Sequence, residues 1–205
     1  MIESGLFYST VIDPILAPLR KRVSAEIKPN GKILDIACGT GTQLFEIAKT
    51  ASFVTGIDLS ESMINFATET SRKQNILNAA FFVCDATNLS IFKEKRFDAA
   101  LMTLALHQFP PHLYFPILNE MKRVANKIII VDYAVPLPKN VAGIGSRAAE
   151  FFAGMEHNRN FKQYCKLGGL NKILPANNLT IRKSRFLAEG AFKLVVCDTS
   201  EVNGL

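Results

Sequence analysis

"ILDIACGTGTQLFEIA", residues Ile33 to Ala48, is an apolar run that stops at a carboxylate, passes through two glycines one residue apart, and restarts with helical spacing. A strand ending near Ala37, a tight turn through Gly39 and Gly41, and a helix beginning near Thr42 account for that order. A turn built this way lets a ligand approach the backbone closely. A dinucleotide, a nucleoside and an empty structural turn would leave similar traces. Leu44 stands where a dinucleotide fingerprint wants a third small residue, so the pyrophosphate reading is incomplete.

Working outward, the chain from Lys32 to Tyr133 alternates short apolar runs with amphipathic segments. The runs are "KILDIA", "FVTGID", "AFFVCD", "FDAALMT" and "KIIIVDY"; their near-continuous hydrophobicity suits parallel strands covered by helices on both faces. Between them, "TQLFEIAKT", "SESMINFATETSRK" and "HLYFPILNEMKRVA" repeat apolar residues three or four apart, the spacing of amphipathic helices. Ahead of this core, Phe7 to Ile27 is expected to form one or two helices interrupted by Pro14 and Pro18. Behind it, a Pro/Gly linker leads to a helical region and then to "LTIRKSRF" and "FKLVVCDT", whose short connection favours antiparallel pairing.

Two further carboxylates close strands. Asp58 ends the second run, where it can accept hydrogen bonds from a ribose diol or cap the helix near Glu61. Asp85 ends the third and is expected on the far side of the first strand, able to accept from an exocyclic amine. With Asp35, three acidic groups then face one crevice. Such crowding disfavours a pyrophosphate and favours a cationic ligand rich in donors.

Composition narrows the classes. The 205 residues are 48% apolar and 20% charged, the balance of one soluble domain, and no run is long enough to span a bilayer. The start, "MIESGLFYST", lacks a charged lead and apolar core, so no signal peptide is expected and the cytoplasm is the expected location. The four cysteines are scattered, with neither a disulfide framework nor metal-ligand spacing, and no metal is expected. A net charge of +6 resides in short separate runs without interleaved aromatics, which argues against nucleic acid as the partner.

Taken in order, "ILDIACGTG", "VTGIDLSESMI", "FFVCDATNL", "FDAALMTLALHQF" and "EMKRVANKIIIVDY" resemble the class I S-adenosylmethionine-dependent methyltransferases, in the broad group that includes the ubiquinone/menaquinone biosynthesis type. The resemblance covers about half the chain. It implies an α/β fold: a Rossmann-like, doubly wound seven-stranded sheet, mostly parallel with a reversed last strand. One methyltransferase domain would fill 1–205, with an N-terminal helical cap over 1–30, a cofactor-binding core over 31–133, an inserted helical acceptor cap over 141–175 and a terminal strand pair over 178–199.

The resemblance also assigns residues. S-adenosyl-L-methionine would meet Asp35, Gly39 and Gly41 at its methionine portion, with Tyr8 near its carboxylate. Asp58 would hold the ribose, Leu59 and Met63 the adenine face, and Asp85 and Ala86 its amine edge. Thr103 or Leu104 would close the pocket. His107, after the fourth strand, is the candidate base, although a structural histidine at a strand exit would read the same way. His157 and Phe161, beside Phe151 and Phe152 in the inserted segment, are candidates for holding a small apolar or aromatic acceptor. Base N-methylation is disfavoured, because "FPPH" at Phe109 to His112 lacks the amide and aromatic that grip an extruded base. A catalytically silent member that binds the cofactor and acts through a protein partner remains an alternative, as does an NAD-dependent oxidoreductase.

Overall fold

The structure, a computed structural model, describes residues 13–141, 143 and 154–199. Tyr8, Phe151 and Phe152 lie outside the described residues. Seven strands form one sheet: β1 (Lys32–Ile36), β2 (Phe53–Asp58), β3 (Ala79–Val83), β4 (Ala99–Thr103), β5 (Lys127–Tyr133), β6 (Ile181–Leu187) and β7 (Phe192–Asp198), in the order β3-β2-β1-β4-β5-β7-β6. The first five run parallel. β7 pairs antiparallel with β5 and with β6, so the expected seven-stranded sheet with a reversed last strand is observed.

Both faces of the sheet are covered, as the unbroken apolar runs require. Ile33, Val54, Leu101 and Ile129 point to one face, where they meet Leu19 and Val23 of helix α1 (Asp13–Ser24) and Leu44 and Ile47 of α2 (Thr42–Ile47). Leu34, Ile36, Met102 and Ile128 point to the other. There they meet α4 (Tyr114–Val124), α5 (Met155–Lys166) and α6 (Leu170–Ala176). Between β2 and β3, α3 (Glu61–Lys73) starts at Ser60, whose hydroxyl accepts from the Met63 N–H at 3.4 Å. Ser60, not Asp58, is therefore the cap.

Two expectations need correction. Asp85 follows β3, which lies outside β2 on the same side of β1, not across it. Chain order alone does not say on which side a third strand is added. Pro18 does not interrupt a helix: α1 runs through it, with the ring on an exposed position where the missing N–H bond faces solvent. The strand order reverses between β1 and β4. In such sheets the crevice beyond the strand ends at that point is where ligands sit.

Candidate active site

A cavity of about 350 Å³ opens at that reversal. Asp35 reaches it from β1, paired in register with Gly56 and Leu101 and sharing the face of Ile33. The side chain is 2% exposed and its Oδ1 has no hydrogen-bond partner. Burial pushes its carboxyl up to about 8; the neighbouring Asp58 adds to the shift and the Ile36 N–H opposes it.

The two glycines have different duties. Gly39 sits at φ +53°, and a Cβ there would meet nothing within 4 Å, so the turn leaves open space on the cavity side. Its N–H donates to Asp58 Oδ2 at 2.8 Å. Gly41, at φ +75°, does not line the cavity; a Cβ would come within 2.8 Å of Phe81 Cε1 and 3.1 Å of Ala67 Cβ. Its smallness serves the packing of the turn on β3 and α3.

Asp58 closes β2 with both oxygens already accepting backbone N–H groups, Oδ2 from Gly39 and Oδ1 from Ser60 at 2.9 Å. Each oxygen keeps a lone pair for a second donor, so the carboxylate is aimed before any ligand arrives. Leu59 and Met63 flank it on the cavity wall, Leu59 being 73% exposed. Asp85 Oδ1 accepts from the N–H and the hydroxyl of Thr87, each at 2.8 Å, which fixes the turn after β3. Ala86 lines the cavity beside it. Behind this turn, Arg123 joins Glu120 to the Leu89 and Phe92 carbonyls, and Glu120 accepts the Leu89 N–H at 2.6 Å. From β4 come Thr103, whose buried hydroxyl has no partner, and Leu104, held at φ +53° by its N–H to the Val131 carbonyl.

Other lining residues escaped the sequence reading. Among the described lining residues Arg20 of α1 is the only cation. Gln43 of α2 donates to the Arg20 carbonyl and to Ser24 Oγ, tying α1 to the turn, while its Oε1 is buried without a partner. Gln108 and Phe109 complete the wall beyond β4. Helical residues such as Arg20 and Gln43 carry no motif; only the docking of α1 and α2 reveals which of them face a cavity.

The candidate base and acceptor residues do gather, but elsewhere. His107 is 2% exposed and does not line the cavity. Its Nδ1 lies 2.6 Å from Asp132 Oδ1, and its backbone N–H donates to Asp132 Oδ2 at 3.0 Å. Ring centroids of His157 and Phe161, both on α5, lie 6.0 Å from that of His107, and Tyr133 lies at 4.8 Å. His107, His157 and Phe161 thus form one aromatic cluster at the β4 and β5 exits, outside the cavity wall.

Comparison with known proteins bears on what this cavity holds. A family model described as a methyltransferase domain matches residues 33–127. Over residues 33–127 this chain is similar to methyltransferase domains. YqeM of Bacillus subtilis (strain 168), named as a methyltransferase, is 40% identical over 108 residues, 50% of this chain and 41% of that protein. A demethylmenaquinone methyltransferase of Staphylococcus carnosus (strain TM300) is 33% identical over 110 residues, 51% of this chain and 44% of the relative. The chain spans less than half the length of these relatives in the matched region. In fold, a crystal structure of a SAM-dependent methyltransferase from Aquifex aeolicus superposes with a TM-score of 0.64 at 18% identity, covering 88% of this chain and 89% of that one.

The side chains around the cavity have the chemistry to receive a nucleoside joined to a cationic amino acid. Asp35 Oδ1 is a buried oxygen in need of a positive partner, the space over Gly39 admits a ligand against the backbone, and Asp58 and Asp85 present acceptors at successive strand exits. No helix among the described residues is long and apolar enough to cross a membrane.

Proposed function

We propose that the protein transfers a methyl group from S-adenosylmethionine to a small, apolar or aromatic molecule by in-line displacement without a metal. The observation that carries this reading is the convergence of Asp35, Asp58 and Asp85 on one cavity, with the Asp35 oxygen unpartnered. Asp58 holds the ribose hydroxyls, Asp85 accepts from the adenine amine, and Leu59 and Met63 cover the base. Arg20 meets the carboxylate of the amino-acid portion. The sulfonium supplies an activated methyl and its own leaving group, so the chain's task is to align the acceptor and exclude water.

At the β4 exit the cavity wall consists of Leu104, Ala105, Gln108 and Phe109, three apolar side chains and one amide, without a carboxylate pair for a divalent cation. This supports an apolar acceptor, as does a relative named demethylmenaquinone methyltransferase. Since His107 lies outside the wall, no protein base is assigned to the displacement.

Calorimetry with S-adenosylmethionine tests the cofactor half. Asp58→Ala and Gly39→Arg should each abolish binding, the first by removing the ribose acceptor and the second by filling the open space over the turn; unchanged affinity in both would sink the reading. Methyl-labelled cofactor with a panel of phenols, quinols and aromatic amines tests the other half. Label should move to at least one, and tight cofactor binding with no transfer to any would favour the silent alternative.

A further inference from the structure

The two edges of the sheet are finished differently. β6, at one end, carries Arg182, Lys183 and Arg185 and is irregular between Ile181 and Lys183. It is also tied to the end of α1: Lys183 and Arg185 pair with Glu26, just past the helix, and Arg185 donates to the Arg22 carbonyl at 2.9 Å. Charge, a bulge and a covering element are the devices that keep an edge strand from pairing with another chain.

β3, at the other end, has none of them. Its sequence, AAFFV, contains no charged residue and no proline, and its register with β2 is unbroken. Phe82 and Val83 are exposed, as is Ile91, the neighbour in the chain of Phe92, whose ring meets Phe82 edge-on at 6.3 Å. Leu77, just before the strand, is 91% exposed. The main chain is open as well. The Asn78 carbonyl accepts from the Val54 N–H at 2.9 Å and the Cys84 N–H donates to the Asp58 carbonyl at 3.0 Å, so the even-numbered residues bond to β2. Ala79, Phe81 and Val83 therefore turn their N–H and C=O groups outward, where no described residue meets them.

We propose that β3 is the interface between two copies of this chain, paired antiparallel about a two-fold axis at Phe81. Phe81 then lies opposite Phe81 and Ala79 opposite Val83 of the second copy, each pair exchanging both N–H···O=C bonds. The same register brings Leu77 opposite the Asp85 turn of the second copy, which accounts for a leucine left in water by the single chain.

Three features select a second copy over an unrelated strand. A two-fold contact uses one surface only, and with β6 covered the assembly closes at two copies. The chain has a net charge of +6, and β3 is a stretch where two such molecules meet without opposing like charges. The third is α3, which packs on β3 with Glu61 in its first turn and Arg72 and Lys73 in its last. The two-fold sets the α3 helices of the two copies antiparallel, the acidic end of one toward the basic end of the other.

Sedimentation velocity of the whole protein from micromolar to millimolar concentration, with backbone hydrogen exchange at both ends of that range, tests the interface. A monomer–dimer equilibrium is expected, in which the Ala79, Phe81 and Val83 amides exchange slowly in the dimer and fast on dilution. Val83→Lys places a charge at an already exposed position of the strand and should weaken dimerisation at least about tenfold. Phe186→Lys, on β6, should leave it unchanged. A monomer throughout the range, which leaves β3 to a strand of another protein, overturns the proposal. So does an assembly that grows beyond two copies, a dimer in which those three amides stay unprotected, or one equally tight in Val83→Lys. Should that variant not fold, the exchange pattern of the wild-type protein decides alone. None of these outcomes bears on the cofactor reading, which rests on the cavity within one copy.

Discussion

Asp35 and Asp132 are both buried aspartates near the carboxyl ends of parallel strands, β1 and β5, and they have opposite fates. Asp132 is fully buried and accepts three hydrogen bonds: the His107 ring and the Tyr133 N–H on Oδ1, and the His107 N–H on Oδ2. Asp35 is almost as buried, yet its Oδ1 has none. By residue parity they lie on opposite faces of the sheet, Asp132 with Ile128 and Ile130 toward α4 to α6, Asp35 with Ile33 toward α1 and α2. Burial alone therefore does not mark a functional carboxylate. A satisfied one holds the fold together, and an unsatisfied one beside a cavity is directed at a ligand.

The largest effect should come from the satisfied side. Asp132→Ala removes the partner of a buried histidine ring and takes the Asp132 acceptor from the His107 N–H at the β4 exit and from the Tyr133 N–H at the end of β5, a loss of about 3–5 kcal/mol. For a domain of this size that lowers Tm by roughly 6–20 °C in a thermal melt. S-adenosylmethionine affinity of the molecules that remain folded should be unchanged. Loss of affinity with an unaltered Tm would reverse the comparison and return His107 and Asp132 to the ligand site.

Stability as a function of pH probes the unsatisfied side. The unfolded Asp35 carboxyl titrates near 4 and the folded one at about 8, so between these values the folded state binds the extra proton and stability falls as pH rises. From pH 5 to pH 8 the loss should be roughly 2–4 kcal/mol in denaturant titrations without ligand. Asp35→Asn cannot ionise, so it should flatten that slope and exceed the wild type in stability at pH 8 while binding S-adenosylmethionine more weakly. A slope unchanged by the substitution would place its origin in other groups.

These two aspartates also mark the limits of reading the chain as a sequence. Asp35, Asp58 and Asp85 were visible because each interrupts an apolar run where a parallel strand must end, and strand ends are where this architecture binds. The side of the sheet taken by Asp85 was not visible, because the order β3-β2-β1-β4 is a choice among topologies that the same runs permit. Asp132 passed unnoticed inside "KIIIVDY", since its partner His107 lies 25 residues away and pairs with it only once β4 and β5 are adjacent. Gly39 and Gly41 looked equivalent; Phe81 and Ala67, brought in from β3 and α3, make one of them a packing residue.

The smallest effect tests the comparison at an apolar position. Leu59 lines the cavity while 73% exposed, so in the unliganded fold its side chain contributes little packing. Leu59→Ala should therefore change stability by no more than about 0.5 kcal/mol. If the side chain becomes covered when the adenine enters, its truncation forfeits about 1–2 kcal/mol of apolar burial, a weakening of S-adenosylmethionine binding by roughly 5- to 30-fold in calorimetry. An apolar side chain left exposed by the fold would then behave as Asp35 does, finding its partner in the ligand. Unchanged affinity would detach Leu59 from the adenine site and leave polar groups alone as the ligand-directed part of the cavity.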